Sequence, residues 1–158
     1  MACATLGGVK ESDPQVVDFV DLQKYQGFWY EIAHSPNFFQ RSCLRSTAEY
    51  AIISPDTVSV HNVCYKENGS TSDISGEAKV TDPSVPAKLK VRFNIFAKGD
   101  YWIIDLDPTY QWAVVSAPQK KSLFILARQQ RLDRPVLEGI LLSLKNKGFD
   151  INKLVFDK

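Results

Sequence analysis

Short segments in which apolar and polar side chains alternate, separated by turn residues, make up most of this chain. The clearest is residues 88–93, where Lys88, Lys90 and Arg92 alternate with Leu89, Val91 and Phe93. A period of two is typical of a strand with one buried face and one face in water. Eight strands are predicted, over residues 27–33, 46–53, 57–65, 75–81, 88–93, 101–106, 112–116 and 123–127.

One later segment has a helical period instead. Asp133 is a suitable N-cap, and Gly148 is suited to the position after the last turn. The apolar residues expected on one face are Val136, Leu137, Ile140, Leu141 and Leu144. We therefore predict an amphipathic helix packed on an apolar surface, followed by a short edge strand over 154–156. Eight evenly spaced strands with short connections indicate an antiparallel up-and-down barrel or a sandwich.

Length and charge restrict the classes of protein further. The 158 residues suit a single domain over 19–158, preceded by a flexible N-terminal arm over 1–18. The net charge of +1 does not point to a nucleic acid partner. No apolar run approaches the roughly 18 residues needed to span a bilayer. We find no serine-hydrolase, metalloprotease or phosphate-loop motif, and therefore predict no catalytic residues, no metal and no cofactor.

The three cysteines suggest one pair and one thiol with a separate role. Cys43 and Cys64 flank the second and third predicted strands, at matching ends of a hairpin, so a disulfide between them is sterically reasonable. The alternatives are two free thiols in a cytosolic protein or a zinc site with His34 or His61. Cys3, in Met1-Ala2-Cys3, would fit a lipoprotein that has lost its signal segment, or an incidental N-terminal cysteine.

Three motifs, in order along the chain, resemble the lipocalin family. The first is Gly27-x-Trp29 with Asp21 and Lys24-Tyr25 before it; the second runs over 106–110 and the third over 124–128, ending in Arg128. A helix follows the third motif, and the match spans 20–156. Within the family, the segments most resemble bacterial outer-membrane lipocalins and apolipoprotein D. The resemblance implies an eight-stranded barrel with the helix outside, closed at one end by Gly27, Trp29 and Arg128.

Strand alternation then predicts which side chains face the barrel interior. If Trp29 faces inward, so do Glu31 and Ala33. The predicted ligand-binding residues are Glu31, Tyr50, Val58, Val60, Asn62, Leu89, Val91, Phe93, Tyr101, Ile103, Phe124 and Leu126. An aromatic and aliphatic lining with a few polar side chains suits an apolar chain with one polar end. The alternative is a barrel packed solid with the same side chains.

The expected function is binding, storage or transport of a small hydrophobic or amphiphilic ligand, such as a fatty acid or lysophospholipid. The alternatives are a lipocalin-fold enzyme, a haem- or pigment-binding protein, or an interaction protein that uses the barrel rim, where Phe38 and Phe39 would lie. We expect a monomer or weak homodimer. A bacterial protein of this kind would be periplasmic or held at the outer membrane through a lipidated Cys3, and otherwise the protein would be secreted.

Overall fold

The computed structural model describes residues 12–37 and 40–158. In these residues the strands are β1 (Gly27–His34), β2 (Cys43–Ser54), β3 (Thr57–Lys66), β4 (Thr71–Val80), β5 (Lys88–Arg92), β6 (Lys98–Leu106), β7 (Trp112–Ser116), β8 (Leu123–Ala127) and β9 (Val155–Phe156). The α-helices are α1 (Leu22–Tyr25) and α2 (Arg134–Asn146), with single 3-10 turns at Pro118–Lys120 and Ile151–Lys153. Within the described ranges, no helix is long and apolar enough to cross a membrane.

The first eight strands form a closed antiparallel barrel. Each strand from β2 to β8 pairs with the next one along the chain, and β1 pairs with both β8 and β2. The β1–β2 pairing, from Gly27 opposite Tyr50 to Tyr30 opposite Thr47, completes the ring. The predicted eight-stranded barrel with a C-terminal helix is therefore confirmed, and the sandwich is excluded.

Strand β1 contains an irregularity that the alternation rule does not anticipate. Its register against β8 shifts between Glu31 and Ala33. Before the shift Glu31 lies opposite Leu126, and after it His34 lies opposite Phe124; both partners belong to the interior cluster. Directly opposed side chains point to the same face. Glu31 and His34 consequently face the interior, and the prediction that Ala33 points inward is wrong, because Ala33 packs in the outer cluster.

Two apolar clusters form, one inside the barrel and one between its wall and α2. The outer cluster contains Ile140 and Leu144 of the helix, both almost fully buried against wall residues such as Val114. Burial of each such side chain contributes about 1.5–3 kcal/mol. Asp133 is the N-cap residue, as predicted, although its side chain makes no capping hydrogen bond. One detail of the helix prediction is wrong, because Val136 is 37% exposed.

The predicted N-terminal arm is partly held against the barrel. The Val17 N–H donates to the Ile103 carbonyl oxygen at 3.0 Å, which ties residues preceding the first helix to β6. The Gln119 N–H donates to the Asp13 carboxylate at 2.8 Å. Residues 12–18 are thus anchored on the wall, whereas residues 1–11, including Cys3, lie outside the described residues.

Candidate ligand site in the barrel interior

The closed end of the barrel is built around a stacked pair of side chains. The Arg128 guanidinium lies over the Trp29 ring, 3.7 Å from its centroid, and Trp29 is fully buried. The guanidinium also donates hydrogen bonds to four carbonyl oxygens, those of Lys24, Tyr25, Phe28 and Tyr110. Gly27 has a φ of +106°, and a Cβ there would lie 3.3 Å from the guanidinium. These contacts close the barrel and use four of the five N–H donors of Arg128.

Above this end lies a layer of three tyrosines, Tyr25, Tyr50 and Tyr101. The Tyr101 hydroxyl lies 2.6 Å from that of Tyr25 and donates to that of Tyr50 at 2.9 Å. Their rings pack with centroids 5.7–6.5 Å apart. Burial raises the pKa of Tyr50 to about 12 and raises those of Tyr25 and Tyr101. All three phenols are therefore neutral at physiological pH, and two hydrogen bonds join their hydroxyls within the layer.

The predicted ligand-binding residues follow a gradient of burial along the barrel axis. Those nearest the closed end or the middle of the barrel are buried: Tyr50, Val58, Val60, Leu89, Ile103 and Leu126. Tyr101, in the tyrosine layer, is half-buried. Three residues toward the other end are also half-buried and pack against the same cluster: Val91, Phe93 and Phe124. Burial of the interior side chains thus decreases toward the end where the connections β1–β2, β3–β4, β5–β6 and β7–β8 lie, which we call the accessible end.

Asn62 differs from the other polar residues predicted to line the interior, which are Glu31, Tyr50 and Tyr101. It lies on the accessible half of β3, opposite Ala48 of the interior cluster, and is half-buried. Within the described residues, its side-chain amide makes no hydrogen bond. The hydroxyls of Tyr50 and Tyr101 are used by each other, and Glu31 accepts hydrogen bonds from Gln40. Asn62 is therefore the predicted polar residue whose hydrogen-bonding groups are open to a ligand.

Glu31 belongs to a buried polar group on the wall, formed with His34, Gln40 and Asp157. The Gln40 amide donates to both Glu31 carboxylate oxygens, at 2.9 and 3.0 Å. Burial, together with the adjacent Asp157 carboxyl, raises the pKa of Glu31 to about 9. Burial also raises the pKa of Asp157 and lowers that of His34. Low polarity disfavours the charged form of each of these groups.

The C-terminal segment places Asp157 in this group. Strand β9 pairs with the second half of β1, and the following Asp157 N–H donates to the Ile32 carbonyl oxygen at 3.0 Å. The Asp157 carboxylate accepts from the Ser46 N–H at 2.6 Å. The segment thus fills the gap where β1 and β2 diverge. A cavity of about 250 Å³ opens here, lined in part by Glu31, Ser46 and Asp157.

The rim of the accessible end carries the disulfide and an apolar hairpin tip. Cys43 and Cys64 are bonded across β2 and β3, so the predicted pairing is confirmed and the free-thiol and cysteine–zinc alternatives are excluded. Between β5 and β6, Ile95 and Phe96 are 62% and 90% exposed. The other predicted rim residues, Phe38 and Phe39, lie outside the described residues.

Sequence analysis missed three groups of this region. Tyr25 precedes the first strand, so alternation along a strand assigns it no side. His34 faces inward only because of the register shift after Glu31. Asp157 reaches the wall only through the pairing of β9 with β1. One signal could have indicated that His34 faces inward. Ile32 and Ala33 are adjacent apolar residues, which interrupts the alternation of apolar and polar positions along residues 29–34.

Comparison with known proteins defines the class. A family model described as a lipocalin-like domain matches residues 20–158. The chain is 34% identical to the outer membrane lipoprotein Blc of Vibrio cholerae, over 94% of this chain and 88% of that protein. It is 31% identical to mouse apolipoprotein D, over 89% of this chain and 78% of that protein. Insecticyanin from the tobacco hornworm has the same fold, with a TM-score of 0.74 at 20% identity, over 96% and 86% of the two chains.

The chain belongs to the lipocalin family. Members of this family generally bind small hydrophobic ligands and generally are not enzymes. The resemblance to bacterial outer-membrane lipocalins and apolipoprotein D is confirmed by the identities with both. The fold and the family are thus those of proteins that generally bind small hydrophobic ligands.

Proposed function

We propose that this lipocalin binds, stores or transports a single-chain amphiphile, a fatty acid or lysophospholipid, in the accessible half of its barrel. The observation that carries the proposal is the apolar lining above the tyrosine layer, where Val91, Phe93 and Phe124 are half-buried. An apolar ligand that enters this space covers those side chains. Each Å² of apolar surface removed from water contributes about 25 cal/mol, before the cost of ordering the ligand.

The tyrosine layer limits how deep the chain reaches. Because two hydrogen bonds join the three hydroxyls, the layer offers an apolar ring surface and one remaining donor, the hydroxyl hydrogen of Tyr50. The hydrocarbon end then rests above this layer, and the polar end lies higher in the barrel. Asn62, with a free amide, is suited to accept or donate to an ester, hydroxyl or carboxylate there. A short charged metabolite finds too few groups to replace its hydration.

Affinity for a series of fatty acids and lysophospholipids, measured by fluorescence displacement, tests the proposal. We expect affinity to rise with chain length and to depend weakly on the head group. Asn62→Trp should fill the accessible half and remove binding, whereas His61→Trp is the matched control, because His61 lies on the outer face of the same strand beside Asp73. Affinity that is flat across chain length, or equal loss in both variants, would contradict the proposal.

A second function, recognition of another macromolecule through the rim, is favoured by one observation. Ile95 and Phe96 at the tip of the β5–β6 hairpin are the most exposed apolar pair at the accessible end in the described ranges. Double substitution to Ser should leave ligand affinity in solution unchanged if the tip serves a partner. If the tip instead covers the ligand, the same variant should weaken ligand binding.

For localisation, we propose an oxidising compartment, since a disulfide persists there and is rare in the cytosol. The relative in Vibrio cholerae is named an outer membrane lipoprotein, which supports a periplasmic or outer-membrane location if this protein is bacterial, and secretion otherwise. Lipidation of Cys3 would provide membrane association. Intact mass of protein isolated from its own host, with and without lipase treatment, tests lipidation; native mass spectrometry tests the expected monomer or weak homodimer.

A further inference from the structure

The wall group around Glu31 brings three metal-binding side chains together at β1, beside Phe124 of the proposed lipid lining. One imidazole nitrogen of His34 and one carboxylate oxygen each from Glu31 and Asp157 lie within 4.8 Å of one another. Glu31 and His34 are 9% and 4% exposed, and Asp157 is half-buried. The three residues come from the two sides of the β1 register shift and from the segment after β9.

The orientation of His34 provides the second observation. Its Nδ1 lies 3.3 Å from the Ser35 carbonyl oxygen, an acceptor, so the proton belongs on Nδ1 and the lone pair on Nε2. Nε2 faces the Glu31 carboxylate at 3.9 Å, and within the described residues it makes no hydrogen bond. The Nε2 lone pair thus faces the Glu31 carboxyl group across a gap, and a cation that displaces the Glu31 proton would be bound by both groups.

Neighbouring hydrogen-bond donors orient the two carboxylates, as the residues around the direct ligands do in metal sites. Gln40 donates to both oxygens of Glu31, and the Ser46 N–H donates to Asp157. Such outer partners orient metal ligands and fix their protonation. Glu31 and Asp157 line a cavity of about 250 Å³, which Arg45, Arg131 and Lys158 also line.

We propose that Glu31, His34 and Asp157 bind one divalent first-row transition metal ion, with Zn²⁺ as the best match. Zn²⁺ takes imidazole nitrogen at about 2.0–2.1 Å and carboxylate oxygen at about 2.0–2.2 Å, so inward movements of about 1 Å or less complete three bonds. The imidazole ligand disfavours Mg²⁺ and Ca²⁺, which take oxygen ligands. Two carboxylates and a neutral imidazole compensate the charge of the ion, and the fourth coordination position is left to water.

Isothermal titration of the full chain with Zn²⁺, in a Cys3→Ser background because a free thiol also binds zinc, tests the proposal. We expect one ion per chain. His34→Gln should weaken binding by at least about tenfold, as loss of even outer-shell partners typically does. His61→Gln is the matched control, since the chain has two histidines and His61 is half-buried on the outer face. Equal zinc affinity in the two variants, or no binding to the parent, would overturn the proposal.

Nitrogen-15 NMR of the histidines tests the zinc site in the parent protein, so the result does not depend on whether a variant folds. In the parent, saturating Zn²⁺ should shift the Nε2 resonance of His34 and leave its Nδ1 protonated, with the His61 resonances unchanged. Asp157→Asn should reduce the affinity while retaining the fold, because the amide oxygen can still accept from the Ser46 N–H. Unchanged His34 resonances at saturation would exclude the site.

Discussion

Replacement of Arg128 by Gln separates the stability of the closed end from ligand binding. The guanidinium stacks on Trp29 and donates hydrogen bonds to four carbonyl oxygens. Two of these bonds are partly buried and two are exposed. A hydrogen bond from a charged group contributes about 1.5–3 kcal/mol, and a desolvated cation–π contact about 2. Water replaces the exposed bonds and Gln retains at most part of the others. We therefore expect a loss of about 2–4 kcal/mol in the free energy of unfolding.

Urea unfolding followed by far-UV circular dichroism measures the loss, and Arg134→Gln is the control. Arg134 is exposed and pairs with Glu138 one helical turn away, so its replacement should cost about 0.5 kcal/mol or less. Arg128→Lys should recover little, because an ammonium cannot stack flat or serve several carbonyls at once. The reasoning is refuted if Arg128→Gln and the control lose equal stability, or if the variant keeps its stability and loses ligand affinity.

Three further changes have definite expected outcomes. Tyr101→Phe leaves the Tyr25 and Tyr50 hydroxyls without their shared partner, so unfolding in urea should show a loss of about 1–3 kcal/mol; unchanged stability would count against a structural role of the layer. Replacing Cys43 and Cys64 by Ser releases a cross-link of 21 residues and should lower stability by about 3 kcal/mol. The metal-free protein, in chelator, should lose stability as pH rises from about 4.5 to about 9, because the raised pKa of Glu31 keeps a proton in the folded state that the unfolded chain has released. Glu31→Gln should flatten that pH dependence.

The parts of the fold that depend on local periodicity could be predicted from the sequence. Residues 88–93 alternate without interruption, and the structure has β5 at Lys88–Arg92. Likewise, the helical period and Gly148 predicted α2, which runs from Arg134 to Asn146 with Gly148 at a φ of +89° beyond it. In both segments each local preference agrees with the tertiary packing, so the pattern and the structure coincide.

The wall group could not be predicted in this way, because its members depend on pairing between distant segments. One extra residue in β1 after Glu31 reverses the facing of every later side chain of that strand, and no residue type there demands the shift. Asp157 lies 126 positions from Glu31, and only the pairing of β9 with β1 brings them together. Alternation also assigned Tyr50 and Tyr101 to the interior without indicating that their hydroxyls bond to each other.

The two halves of the barrel differ in how many of their polar groups have hydrogen-bond partners within the protein. For this reason we expect one half to determine stability and the other to determine ligand affinity. Arg128 and the three tyrosine hydroxyls have partners within the protein, so the closed half gains rigidity and offers a ligand mainly apolar surface. In the accessible half, Asn62 has no partner among the described residues, and half-buried apolar side chains keep part of their surface in contact with water. A ligand gains free energy by covering surface that the fold has left uncovered. Substitutions below the tyrosine layer should therefore change stability more than affinity, and substitutions above it should do the reverse.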